Sequence, residues 1–152
     1  MLLRRVKFGI HKDKHIRPDI RVPKEAGSIV GKERSVQSLC YTLGWGSTGK
    51  SELQSPILVA ADVKIFSSKF CNKLPQWYRG KIINSEFCAG HVKGGKDSCR
   101  GDTGGPLICK VNGQNVQYGL ASWGVGCAMP RKPTVYAKVS TVVKWIRKIT
   151  QV

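Results

Sequence analysis

From residue 38 onward the chain alternates short apolar runs with clusters of turn-forming residues. Leu39–Leu43 ends at Gly44-Trp45-Gly46, Ile57–Ile65 is rich in aliphatic and β-branched residues, and Phe87–Ala89 precedes Gly90. Pro106–Val111 and Val116–Ser122 flank Asn112-Gly113, and Thr134–Val139 follows Pro133. Runs of this length bounded by turn residues predict strands, and Asn-Gly between two of them predicts a tight hairpin. Six short strands without crossover helices predict an all-β fold, a single six-stranded antiparallel β-barrel. The period changes twice. Ser67 or Ser68 is positioned to cap a short helix running through Lys73. Near the C-terminus Val142, Trp145, Ile146 and Ile149 fall at i, i+3, i+4 and i+7, which predicts a C-terminal amphipathic α-helix. Lys144, Arg147 and Lys148 take much of its other face. The apolar stripe is expected to dock on the domain; for a basic amphipathic helix the alternative is to lie on a membrane.

Residues 1–37 follow a different pattern. Arg4, Arg5, Lys7, Lys12, Lys14, Arg17, Arg21 and Lys24 crowd this stretch, and Pro18 and Pro23 interrupt it. It reads as one short strand, Met1–Val6, and then a basic, irregular linker with few apolar positions to bury. Residues 38–152 then form the barrel and its final helix. The chain has no internal repeat and no low-complexity tract.

Apolar residues make up 41% of the 152, enough for one folded core. Charge adds a second theme: 26 Lys+Arg against 9 Asp+Glu leave +17. That balance favours heparin-like polyanions or anionic membranes as partners, with nucleic acid ranked lower because no recognition motif accompanies it. The plain alternative is a solvated basic surface. The six cysteines, Cys40, Cys71, Cys88, Cys99, Cys109 and Cys127, are even in number and lack CxxC spacing. They predict disulfides and an oxidising compartment, with fifteen connectivities open. Zinc spacing is absent, and His11, His15 and His91 do not cluster with the cysteines, so neither metal nor cofactor is expected. No apolar run approaches the length of a membrane span. Met1-Leu2-Leu3 runs straight into Arg4 and Arg5 instead of a signal-peptide core, so the true N-terminus is expected to lie upstream.

Candidate chemistry concentrates in Asp97-Ser98-Cys99-Arg100-Gly101-Asp102-Thr103-Gly104-Gly105-Pro106. Glycines around a hydroxyl let the backbone turn sharply and aim N–H groups at a developing oxyanion. Other strings flank this loop in order: Cys40 before Gly44-Trp45-Gly46, Phe87-Cys88-Ala89-Gly90, Gly95-Lys96-Asp97-Ser98-Cys99, Ser122-Trp123-Gly124-Val125-Gly126-Cys127 and Lys132-Pro133-Thr134-Val135-Tyr136. Together they resemble the C-terminal half of the trypsin/chymotrypsin-like serine proteases over about residues 38–152. Lys96–Cys109 is most similar to trypsin and to granule proteases of the granzyme A/K type. The resemblance implies the second barrel of that fold and the pairs Cys40–Cys109, Cys71–Cys88 and Cys99–Cys127. It also implies a secreted or secretory-granule protein. It places Thr103 at the nucleophile position and the N–H groups of Gly101 and Thr103 at the oxyanion hole. Asp97 falls at the base of the primary specificity pocket, where a carboxylate pairs with substrate Arg or Lys. Ser122, Trp123 and Gly124 fall on the strand that binds the substrate backbone. Asp102 corresponds to the carboxylate that pairs with the ammonium freed on zymogen cleavage, a partner expected to be missing here.

Three departures shape the functional expectation. Threonine replaces serine as nucleophile, and its methyl restricts χ1 and crowds the point of attack. The family's histidine and aspartate match nothing in this sequence, the aspartate position falling just before Met1. His11, His15 and His91 are each expected to be ordinary surface histidines, since a base needs both reach and an orienting third group. Thr134 stands where trypsin has a pocket-wall glycine, which narrows the pocket above Asp97. The expectation is a serine-protease homologue that is catalytically inactive as given, either truncated or a pseudoenzyme, with a protein or peptide ligand at its vestigial cleft. Two alternatives are a serine endopeptidase in a longer form and a cationic module for heparin-like polyanions or anionic membranes.

Overall fold

Six strands form where apolar residues alternate: β1 (Cys40–Gly44), β2 (Val59–Phe66), β3 (Glu86–Gly90), β4 (Pro106–Val111), β5 (Gln114–Trp123) and β6 (Thr134–Lys138). Two helices join them, α1 (Ser68–Lys73) and α2 (Val143–Thr150), with a 3₁₀ turn at Val139–Thr141. The computed structural model describes residues 40–49, 54–73, 78–111 and 113–150. The basic strand and linker expected over residues 1–37, His11 and His15 included, lie outside these.

The strands close into an antiparallel barrel in the order β1-β2-β3-β6-β5-β4. Each strand pairs on two sides, but β5 runs beyond Leu120, the last residue it pairs with β4, so Ser122 and Trp123 have no β4 partner. Adjacent residues on a strand face opposite ways, and β3 and β6 use both faces. Phe87, Ala89 and Tyr136 point into the barrel core with Cys40, Val63, Leu107, Cys109 and Ala121. Cys88 and Val135 turn outward into a second cluster with Cys71, Tyr78 and Ile82. Phe87 through Gly90 are therefore buried in unbroken succession, and the alternation of a half-buried strand disappears there. β5 extends beyond Val116–Ser122 because the ladder continues through polar Gln114 and Asn115 to the pair Val111↔Gln114.

Cys40–Cys109 links paired residues of β1 and β4, Cys71–Cys88 ties α1 to β3, and Cys99–Cys127 joins two loops. α1 starts at its serine cap, the Phe70 N–H donating to Ser67 Oγ at 3.1 Å.

α2 departs from expectation. Its stripe docks only at Ile146: Trp145 is 65% exposed, Ile149 63% and Val142 39%. Ile146 is half-buried, and Val143, outside the stripe, is buried. The 3₁₀ turn sets the phase, with the Val142 N–H bonded to Val139 O at 3.1 Å. Each helical residue advances about 100°, so presenting Val143 to the barrel swings Val142, Trp145 and Ile149 toward solvent. No described helix is long and apolar enough to cross a membrane.

Candidate functional site

The loop Lys96–Gly105 enters β4 at Pro106 and is held from several sides. The Gly104 N–H donates to Ala121 O (2.8 Å) and the Ala121 N–H to Gly105 O (2.9 Å), which sews the loop to β5. Within it, the Asp102 N–H reaches Cys99 O (3.0 Å) and the Gly105 N–H reaches Asp102 O (2.8 Å), two tight turns in succession. Cys99–Cys127 fastens the loop to the segment after β5. Gly101 makes the turn with φ at +92°, a region closed to most side-chain-bearing residues. Thr103 emerges exposed at the tip.

β5 is irregular at the same level. Its pairing with β6 shifts between Ala121 and Trp123, and Ser122, at the bulge, is exposed. Bulges re-aim side chains and recur beside binding sites. Trp123 is fixed by its indole N–H donating to Glu86 Oε1 (3.1 Å) and by the edge of the Tyr78 ring, 5.1 Å between centroids. The Tyr78 hydroxyl donates to Pro133 O, and burial pushes its pKa up to about 12, so it remains a donor at any ordinary pH. Thr103, Ser122, Trp123, Gly124 and Thr134, together with Cys99–Cys127, bound a cleft of ≈ 290 Å³.

Asp97 does not line that cleft. It faces a neighbouring cavity of ≈ 40 Å³ shared with Asp102, Thr42, Gly44 and Gly46. Its carboxylate accepts from the Ser98 N–H at 2.9 Å and from the Thr134 N–H at 3.1 and 3.3 Å. Thr134, 6% exposed, stands on the cleft wall instead. Burial pushes the Asp97 pKa up to about 6, against the pull of hydrogen bonds from Thr134 and Ser98.

Asp102 is not left without partners. Its Oδ1 accepts from the Gly46 N–H (2.8 Å) and its Oδ2 from the Cys99 N–H (2.9 Å). A Cβ on Gly44 would lie 1.9 Å from Oδ1, and one on Gly46 would lie 2.6 Å from both oxygens. Gly44-Trp45-Gly46 therefore seats a carboxylate, a role that reading it as a strand-ending turn misses. Sequence reasoning also misses a buried hydroxyl chain. Thr42 Oγ1 and Ser98 Oγ are 2.6 Å apart, and Ser98 Oγ and the Tyr136 hydroxyl 2.7 Å. Burial pushes Tyr136 up to about 12, so all three hydroxyls stay neutral.

The family model described as Trypsin matches residues 15–146. This chain belongs to the trypsin family. It is a trypsin-like serine protease homologue, and its three disulfides suit the extracellular, oxidising setting that the family suggests.

For a trypsin-family chain, the surroundings of Thr103 are sparse. No described residue hydrogen-bonds its hydroxyl or its N–H, nor the N–H of Gly101. His91, the one histidine among the described residues, is engaged elsewhere. Its Nε2 lies 2.8 Å from the Asp62 carbonyl oxygen and 3.6 Å from Asp62 Oδ2. Lys96 Nζ closes that cluster at 2.5 Å from Asp62 Oδ1 and holds the Asp62 carboxyl below its ordinary range. His91 does not line the cleft. Among the described residues no cluster of His, Cys, Asp and Glu could hold a metal ion. The arrangement offers a strand segment exposed at Ser122, two unbonded loop N–H groups and a wall whose charged residue is Arg100 rather than a carboxylate, without a described group to take a proton from Thr103.

Proposed function

We propose that this chain binds peptide segments at the cleft without hydrolysing them, through Ser122, Trp123 and Gly124, with Thr134 restricting it to small, uncharged side chains. The observation that carries this reading is the isolation of Thr103 from any described base. A threonine hydroxyl is a weak nucleophile until a positioned base takes its proton. Losing the triad costs on the order of a million-fold in turnover and leaves only what binding and an oxyanion hole supply. The segment Ser122–Gly124, exposed at Ser122 and Gly124 and without a β4 partner, supports backbone pairing with an extended peptide. Asp97, already bonded to Thr134 and Ser98, supports the exclusion of Arg and Lys, whose charge would meet no carboxylate on the cleft wall.

The test uses the 152-residue chain and its Thr103→Ser variant with chromogenic peptide substrates ending in Ala, Val, Arg or Lys. Neither protein should release product above buffer, because serine restores a nucleophile and no base. Unhydrolysable peptides with Ala or Val at that position should bind more tightly than those with Arg. Turnover by either protein, abolished by a serine-directed phosphonylating reagent, overturns the reading.

A further inference from the structure

Glu86 opens β3 and divides its carboxylate between two neutral donors. Oε1 accepts from the Trp123 indole N–H at 3.1 Å and Oε2 from the Ile83 N–H at 3.2 Å. Trp123 lines the cleft and Glu86 does not, so this acid reaches a bound peptide through the indole. The ring is held on a second side: the Tyr78 ring stands nearly perpendicular to it, 5.1 Å between centroids. The Tyr78 hydroxyl in turn donates to Pro133 O, next to Thr134 of the cleft wall. Tyr78 and Ile83 belong to the same run, residues 78–85, so a single carboxylate ties β5 to the segment that supplies its aromatic neighbour. No described cation pairs with Glu86, although the chain carries 26 Lys+Arg. Glu86 lies opposite Ala137, and the neighbouring Lys138 places its ammonium on Asn84 O, 2.6 Å away. An ammonium is a point charge that a carboxylate meets from many directions, whereas two fixed N–H groups take one oxygen each and aim both.

We propose that Glu86 is a positioning residue for recognition at the cleft: it fixes the Trp123 indole, and with it the preference for an apolar ligand side chain lying against that ring. The inference rests on the peptide-binding reading above and adds a residue outside the cleft that sets its selectivity. An indole held at its N–H and along its ring is already ordered when the ligand arrives, whereas a loosened one must be ordered by each ligand that uses it. An apolar side chain gains contact area from the ring. Glycine gains none, so its binding is indifferent to where the ring points. Backbone pairing along Ser122–Gly124 needs no indole and survives its loosening. The carboxylate suits the task because both its oxygens accept; a carboxamide has one acceptor oxygen and cannot serve the Trp123 and Ile83 N–H groups together.

The experiment measures binding of the 152-residue protein to two unhydrolysable peptides ending in Ala, one with Leu and one with Gly at every preceding residue. Glu86→Ala should weaken the Leu peptide roughly three- to tenfold, the cost of ordering one free side chain at an interface, and the Gly peptide by less than about twofold. Glu86→Met, which fills the same space without a carboxylate, should do the same, and circular dichroism verifies that each variant is folded. In Trp123→Phe, adding Glu86→Ala should leave both affinities unaltered, because the indole through which Glu86 acts is gone. The proton resonance of the Trp123 indole N–H, assigned by its loss in Trp123→Phe, should shift in Glu86→Ala and exchange faster with solvent, with or without peptide. Three results overturn the positioning role while peptide binding stands: an indole resonance that does not move, equal losses for the Leu and Gly peptides, or a further loss on adding Glu86→Ala to Trp123→Phe. Failure of the wild type to bind either peptide overturns the peptide-binding reading and this inference with it.

Discussion

Replacing Asp97 by asparagine isolates the energetic consequence of burying a carboxylate at the edge of the cleft. The carboxylate accepts from the Ser98 and Thr134 N–H groups, and burial still dominates, lifting its pKa from the ordinary 3.8 to about 6. Between those values the folded protein holds a proton there that the unfolded chain has released. Stability therefore falls as pH rises through the window: the contribution is complete below 3.8 and is lost by the time pH has passed through about 6. At about 1.4 kcal/mol for each pH unit, the loss amounts to about 3 kcal/mol, a large share of the stability of a small domain. Asparagine keeps an acceptor oxygen for the same N–H groups and removes the titration. Urea unfolding of the disulfide-intact protein and of Asp97→Asn, from about pH 4 to about pH 7, gives the difference directly. Ionisations common to both proteins cancel in the subtraction. The wild type should lose about 2.4 kcal/mol of that relative to Asp97→Asn across the range. Parallel profiles, or a wild type that gains stability as pH rises, would refute the burial of this group.

Two further substitutions test the packing around the same loop. Gly44→Ala puts a methyl 1.9 Å from Asp102 Oδ1 and should lower stability by about 2–3 kcal/mol, since the carboxylate can retreat only by giving up its bonds from the Gly46 and Cys99 N–H groups; a midpoint in urea unchanged from wild type would contradict the seat. Tyr136→Phe removes the hydroxyl that meets Ser98 and should cost about 1–2 kcal/mol by leaving the buried serine short of a partner. Adding Ser98→Ala should then cost much less than it does alone, so additive losses would argue against a connected chain.

Several elements were legible one residue run at a time. Pro106–Val111 is the same strand in both readings, and α1 begins after the serine cap that its sequence proposes. Local pattern sufficed because each apolar run is bounded by turn residues and caps act on their own backbone. β3 and β6 were harder, since covering both faces erases the alternation that marks a half-buried strand. The α2 stripe was visible, but which arc meets the barrel depends on the 3₁₀ turn before it. Phase at this helix start is set by that turn and by the packing of Val139 and Val143 on the barrel, and periodicity carries no record of it.

The sequence by itself determined the all-β class, the turn-rich loop around Thr103, the departure from serine at its tip, and an even set of cysteines whose partners spacing leaves open. Those properties are local or compositional, so one chain read in order contains them. The tertiary structure alone decided that the Thr134 N–H bonds the Asp97 carboxylate, that Gly44 and Gly46 seat Asp102, and that Thr42, Ser98 and Tyr136 share one hydroxyl chain. Each joins residues more than thirty positions apart, and whether they meet is settled by barrel closure and strand register.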